Sequence, residues 1–173
     1  MNTIASINNL TEVHADSKIW IYTFSKKISS AQAEEIGKSL DAFCKNWTAH
    51  SKELRAFWNI YDFRILILGV DEHLNPASGC SIDKSVHFLQ ELEQEFQLEL
   101  FNRMLFSYIE DKQIHTLNRE EFQKHIDEKI IHSETLVVNT LAKNWAEWNS
   151  TGFQKLQDSW MKNLFQIPLY ENN

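Results

Sequence analysis

Residues Phe63 to Val70 read FRILILGV, apolar at nearly every position, and a run of that kind is a strand covered on both faces. Just upstream, Leu54, Ala56, Trp58 and Ile60 alternate with Arg55, Phe57, Asn59 and Tyr61, and a corner at Asp62 joins the two runs into a hairpin. The second strand of that hairpin is therefore central, and Gly69 near its end marks a bend or a close contact. Ile19 to Phe24 (IWIYTF) is a second β-branched and aromatic run of the same character. Between these strands, Ser29-Ser30-Ala31-Gln32 has the spacing of a capping box, and Ala33, Ile36, Leu40, Phe43, Cys44 and Trp47 follow at steps of three and four. That spacing predicts an amphipathic helix.

Beyond the hairpin, 71–81 is a loop with Pro76 and Gly79, and Ile82, Val86, Leu89, Leu92 and Phe96 predict a second helix over 82–97 with Ser81 as its N-cap. Met104 to Ile109 returns as a strand, Glu110-Asp111-Lys112 is a polar turn, and Ile114 to Leu117 is a further short strand. The order βαββαβ, with the first and third strands the most apolar, predicts an α+β fold with a ferredoxin-like split βαβ sheet over 18–117. Residues 1–17 form a polar leader. Residues 118–173 form a C-terminal α/β extension: a capping box at Asn118 and Glu121, a helix to Lys129, a strand over Thr135 to Asn139, and short helices carrying Trp145, Trp148, Phe153, Leu156, Trp160, Leu164 and Phe165. No Pro, Gly or Ser linker separates the two parts, so they are expected to pack as one globular unit.

Composition narrows the function. The chain has 173 residues, 43% of them hydrophobic, with 4 Gly and 2 Pro, and its six Trp, eleven Phe and four Tyr supply a core that needs no metal or disulfide to hold it. Seventeen Lys and Arg against 24 Asp and Glu give a formal charge of -7 without a basic run, which argues against nucleic acid. The longest apolar run, Ile65 to Val70, is far shorter than a membrane span, and the leader has neither a basic start nor an apolar stretch, so a cytoplasmic location is expected. In a reducing compartment Cys44 and Cys80 are thiols, Cys44 on the apolar stripe of the first helix.

The chemistry-bearing residues concentrate in Asp71-Glu72-His73 and Ser78-Gly79-Cys80-Ser81-Ile82-Asp83-Lys84-Ser85, between a central strand and a helix start. Backbone N–H groups and the positive helix end at such a place favour an anion, with Ser78, Gly79, Ser81, Asp83 and Lys84 as the candidate binding residues. Cys80 ahead of the helix is a candidate nucleophile, with His73 or His50 as base and Asp71 orienting it. The alternative is structural: Ser81 is a cap, Asp83 favours the first turn, and Cys80 fills a gap beneath the loop. Ser78, Asp83, Lys84 and Ser85 fall in register with G-x-x-x-x-G-K-[ST], but both glycines are missing and Asp83 stands where a phosphate would lie, which argues against ATP hydrolysis. His50, Asp71, His73, Cys80 and His87 have no metal-ligand spacing, so no metal and no cofactor is expected. Among the aromatic residues, Trp47 and Trp58 belong to apolar faces, while Trp145 and Trp148 at i,i+3 are candidates for a docking surface.

The chain resembles a family of small Bacteroidetes proteins commonly labelled "ABC transporter ATPase". The resemblance runs from Trp20 to Trp160 and rests on Trp20-Ile21-Tyr22, Trp47 with His50, Val70-Asp71-Glu72, the stretch Ala77 to Val86, Arg103, Thr135-Leu136-Val137 and Ser159-Trp160. Its specific part is SGCSID, Ser78 to Asp83, and the chain departs from the pattern at Gln97, where Gly is expected to end the second helix. The label implies ATP hydrolysis, for which the sequence has no Walker loop and no LSGGQ-type signature. Two expectations result: a non-catalytic binding protein whose 71–85 loop meets a small anion or a protein partner, or a cysteine-dependent enzyme using Cys80. A homodimer is possible if an exposed sheet face carries Phe57 or Tyr61.

Overall fold

The computed structural model describes residues 3–5 and 13–168. Of the polar leader expected over 1–17, residues 1, 2 and 6–12 lie outside the described residues. The expected hairpin is present as β5 (Arg55–Tyr61) and β6 (Ile65–Asp71), and all seven residues of β6 are buried. Its central place follows from its partners, since β2 (Lys18–Thr23) pairs with it on one side and β5 on the other, both antiparallel. β1 (Thr3–Ala5) completes the sheet on the far side of β5. Ile65, Leu66, Ile67, Leu68 and Val70 are each 0% exposed, and burying a side chain of that kind contributes about 1.5–3 kcal/mol.

Both faces of this sheet are covered, which is why the run is apolar without alternation. On one face lie α1 (Ser30–Asn46) and α2 (Gly79–Phe96), packed over Trp58, Ile60, Leu66 and Leu68. Gly37 lets α1 approach closely, because a Cβ there would meet Trp58 Cη2 at 3.0 Å, and the same indole donates to Asp41 of α1 at 2.8 Å. On the other face lies a second antiparallel sheet, formed by β7 (Leu105–Glu110), β8 (Gln113–Asn118), β9 (Leu136–Val138) and β10 (Phe153–Lys155) in the order β10-β9-β7-β8. α4 (Trp145–Thr151) joins this interface, and α3 (Arg119–Asp127) with the 3-10 turns after Lys155 covers the outer face of the second sheet. The layers therefore run helix, sheet, sheet, helix. Asp62, at the corner between β5 and β6, ties the sheets together by accepting from the backbone N–H of Ile114 at 2.7 Å and from Lys27 Nζ at 3.3 Å.

The α+β class stands, but the sheet orders do not match a ferredoxin-like βαββαβ arrangement. The first three expected strands do lie as a split βαβ unit, β2 and β5 flanking β6. The fourth, β7, expected beside β2, pairs with β8 and β9 instead. It has two faces to bury: Phe106 and Tyr108 meet α3, while Ile109 packs toward the first sheet. The edge of β2 is met by the chain before α4, where Ile19 N–H donates to Lys143 O at 3.1 Å and Lys18 bridges Asn144. The second sheet takes two strands from each side of residue 118, so the expected division into 18–117 and 118–173 does not follow the sheets.

Two further expectations change. Trp148 is 4% exposed and Trp145 stacks edge-on to Phe57 with centroids 5.3 Å apart, so these rings face inward rather than lining a docking surface. Phe57 is buried and the hydroxyl of Tyr61 accepts from Trp148 Nε1 at 3.3 Å, so the sheet face nominated for pairing two subunits is covered within the chain. Among the described residues no helix is long and apolar enough to cross a membrane.

Candidate functional site

β6 ends in a carboxylate. Asp71 closes an otherwise apolar strand with its side chain 2% exposed, and its cross-strand neighbour in β5 is Arg55. Its Oδ1 accepts the backbone N–H of His73 at 3.1 Å, the local turn that an Asp favours, and lies 3.0 Å from His73 Nδ1. Its Oδ2 accepts no hydrogen bond among the described residues, although Arg55 Nη1 stands at 3.2 Å and His14 Nε2 at 3.8 Å. A buried acceptor without any partner costs about 1–3 kcal/mol or more for a charged group, and the Arg55 charge offsets part of that here. Burial alone pushes the Asp71 carboxyl up, but the two hydrogen bonds from His73 and the charges of His14 and Arg55 outweigh it and hold it below the ordinary carboxylate range.

The second wall of the site comes from the N-terminal segment. A turn in which Ser17 N–H donates to His14 O at 3.0 Å shapes it, and the first N–H groups of α4 hold it, Trp145 donating to Ser17 O at 2.9 Å and Ala146 to Ala15 O at 2.6 Å. These donors would otherwise be orphaned at a helix start. The anchoring brings the His14 ring to 4.0 Å from the His73 ring, and Asp16 Oδ1 to 3.5 Å from His73 Nδ1. His14 and His73 are half exposed, so the buried carboxylate lies behind two imidazoles that face solvent.

The loop that follows is closed on itself. Glu72 accepts the N–H of Ala77 at 2.9 Å, and Asn75 donates to Glu53 O at 3.1 Å. α2 begins at Gly79 with Ser78 as N-cap, three residues earlier than the apolar spacing predicts, because its first turn, Gly79-Cys80-Ser81, is small and polar and carries no apolar signal. Ser78 and Ser81 form a reciprocal capping box: the Ser78 hydroxyl accepts the Ser81 N–H, and the Ser81 hydroxyl accepts the Ser78 N–H. Ser81 O also accepts Trp47 Nε1 at 2.8 Å, which fixes the helix start against the end of α1. Both serine hydroxyls expected to greet an anion are thus engaged in the cap, and Glu72 already brings a carboxylate to the loop. Asp83 and Lys84 are exposed on α2, as is Gly79.

Of the expected catalytic group, only Asp71 and His73 come together. Cys80 is exposed and its sulfur makes no hydrogen bond among the described residues, and His50 sits exposed at the tip of the two-residue turn joining β3 (Thr48–Ala49) to β4 (Lys52–Glu53). Cys44 is buried, and burial with the nearby Asp41 charge pushes its thiol up to about 12. His14, Asp16 and Arg55 escaped the sequence reading; the alternation that places Arg55 opposite Asp71 was the one available signal. A separate cleft of about 230 Å³ opens between the edge of β2 and the second sheet, with Arg103 as its charged lining residue. No family model matches the chain, and no curated protein or solved structure matches it either.

Proposed function

We propose that the chain is a non-catalytic binding protein whose ligand sits at the mouth of the 71–85 loop, between that loop and the segment around His14. The observation that carries this reading is Asp71: a buried, ionised carboxylate, one oxygen of which accepts no hydrogen bond among the described residues although Arg55 stands at 3.2 Å, set behind solvent-facing imidazoles at the end of a central strand. A buried ion pair is weak evidence for a purely stabilising role, and the turn to His73 uses only Oδ1 of this carboxylate. The cysteine-dependent alternative has less behind it, because Cys80 has neither a base nor a hydrogen-bond partner among the described residues. We also propose membership of the small Bacteroidetes family that the chain resembles, supported by the SGCSID segment that builds the start of α2 beside this loop. The ATPase chemistry of that family's label is no part of the proposal, since the glycines of a phosphate loop are missing.

The test is a thermal-shift screen of the full chain against small anions, mononucleotides and divalent metal chlorides, with each hit mapped by backbone amide chemical shifts. Perturbed amides clustering at 13–17 and 71–85, in wild type and in Cys80→Ser alike, are expected. A cluster elsewhere, such as the Arg103 cleft, overturns the site. Loss of the hits in Cys80→Ser returns the enzyme reading.

A further inference from the structure

We propose that His14, Asp71 and His73 form a binding site for a first-row divalent transition metal of the Zn²⁺ kind. The proposal rests on the reading of the loop mouth as the binding site and names its ligand class. Each residue offers one ligand atom, and the three atoms lie within 4.8 Å of one another. Two ligands each about 2.1 Å from a metal stand roughly 3.0–3.4 Å apart at angles from 90° to tetrahedral. His73 Nδ1 and Asp71 Oδ1 are already 3.0 Å apart. His14 Nε2 is 3.8 Å from Asp71 Oδ2, so a small inward movement of one half-exposed side chain completes the set.

Independent support comes from the unfilled oxygen. Asp71 Oδ2 is buried from solvent and accepts no hydrogen bond among the described residues, so bulk water does not satisfy it. Arg55 Nη1 at 3.2 Å pairs with this oxygen by charge but makes no hydrogen bond to it, and a bare cation held between the imidazoles and this carboxylate supplies a direct ligand bond with Arg55 as an outer-shell charge. Two imidazoles with one carboxylate select Zn²⁺, Co²⁺ or Ni²⁺ over Mg²⁺ and Ca²⁺, which prefer all-oxygen sites. Three protein ligands leave a coordination position for water, a small ligand or the exposed Asp16 carboxylate, which already lies 3.5 Å from His73 Nδ1.

The experiment uses the full chain without a histidine tag, stripped with a chelator, titrated calorimetrically with ZnCl₂ and, separately, with MgCl₂. One equivalent of Zn²⁺ and no Mg²⁺ response is expected. His14→Gln and His73→Gln each weaken Zn²⁺ at least tenfold, the range of losses seen even for outer-shell changes at metal sites. Both positions are half exposed, so these variants fold, and His50→Gln and His87→Gln serve as exposed controls that leave binding unchanged. Co²⁺ bound in place of Zn²⁺ gives visible absorption that disappears in the same two variants. Zn²⁺ binding indifferent to His14→Gln and His73→Gln, or lost equally in the controls, overturns the proposal as adventitious surface binding. If Zn²⁺ fails while another compound maps to 13–17 and 71–85, the metal assignment falls and the binding reading stands. If every hit maps elsewhere, both fall.

Discussion

Replacing Gly69 by Ala tests the packing between the two sheets. A Cβ at Gly69 would lie 2.2 Å from Phe57 Cζ, 2.5 Å from Cε1 and 2.7 Å from Cε2. Phe57 is the direct cross-strand partner of Gly69, so its ring lies over the glycine and uses the space a side chain would fill. Carbon atoms rest at about 3.5–4.0 Å, so the ring must withdraw by roughly 1.5 Å. It has nowhere to go, being 4% exposed with Trp145 edge-on at 5.3 Å. Overpacking of this kind costs about 1–3 kcal/mol, of which the better strand propensity of Ala returns about 0.5–1. The net loss of about 1–2 kcal/mol lowers Tm by about 2–8 °C for a chain of this size. Urea unfolding of Gly69→Ala, Phe57→Leu and the double variant measures the coupling. Phe57→Leu opens the space, so the double variant should be at least about 1 kcal/mol more stable than the sum of the single losses predicts. Strict additivity, or a Gly69→Ala midpoint equal to wild type, refutes the ring-over-glycine account.

Four further outcomes follow from other parts of the molecule. Gln97 ends α2 in the left-handed region at φ 52 with its side chain exposed, so Gln97→Gly should relieve a cost of about 1–2 kcal/mol at the expense of about 0.5–1 in chain entropy, and raise Tm by about 2 °C. A lower Tm counts against the cap. Burial pushes Tyr22 up to about 12, as it does Cys44, from 10.0 and 9.0 respectively, and the unfolded chain loses these protons first. Folding stability should therefore be flat up to about pH 9 from these groups and fall as pH rises toward 12, with Cys44→Ala removing the part that begins near pH 9. In the native state a thiol reagent should modify Cys80 alone, with Cys44 reacting only after denaturant is added. Asp62→Ala removes the acceptor for the Ile114 N–H and should cost about 1–3 kcal/mol in urea, whereas a change within 0.5 would mean that water replaces the contact.

The elements were legible where one segment carries its own signal. The unbroken apolar run of β6, the stripe of α1 and the capping boxes at Ser29 with Gln32 and Asn118 with Glu121 are local statements, and each is present. Gly69 as a bend or a close contact was legible for the same reason, whereas Gln97 in a glycine's place came from the family resemblance. Which strand pairs with which is not local. The residues of β7 announce two faces to be buried, but nothing within 105–110 says whether β2 or β8 and β9 will satisfy its edges. The pairing is decided by turns: Asp111 and Lys112 take φ 48 and 62, the left-handed pair that closes a two-residue hairpin, without the Asn-Gly that usually signals it. The polar turn and its two strands were legible, but a non-glycine pair in that conformation does not say that the hairpin leaves the first sheet to build a second one.

The candidate site divides along the same line. Asp71 and His73 were nominated because they are adjacent at the end of a strand, and the turn that joins them is built from the aspartate itself. His14 and Asp16 belong to a polar segment with no periodicity, and their place depends on N–H groups of α4, which lies more than a hundred residues downstream. The segment that carries half the site is thus held by a helix start, whose unpaired donors need acceptors, together with Val13, which packs against the apolar cluster between the sheets. The metal-ligand set was invisible for that reason: the sequence offered His50, Cys80 and His87 as companions for Asp71 and His73, all exposed, while the histidine that meets them came from the leader. Cap chemistry at α4, not ligand spacing along the chain, assembles the cluster.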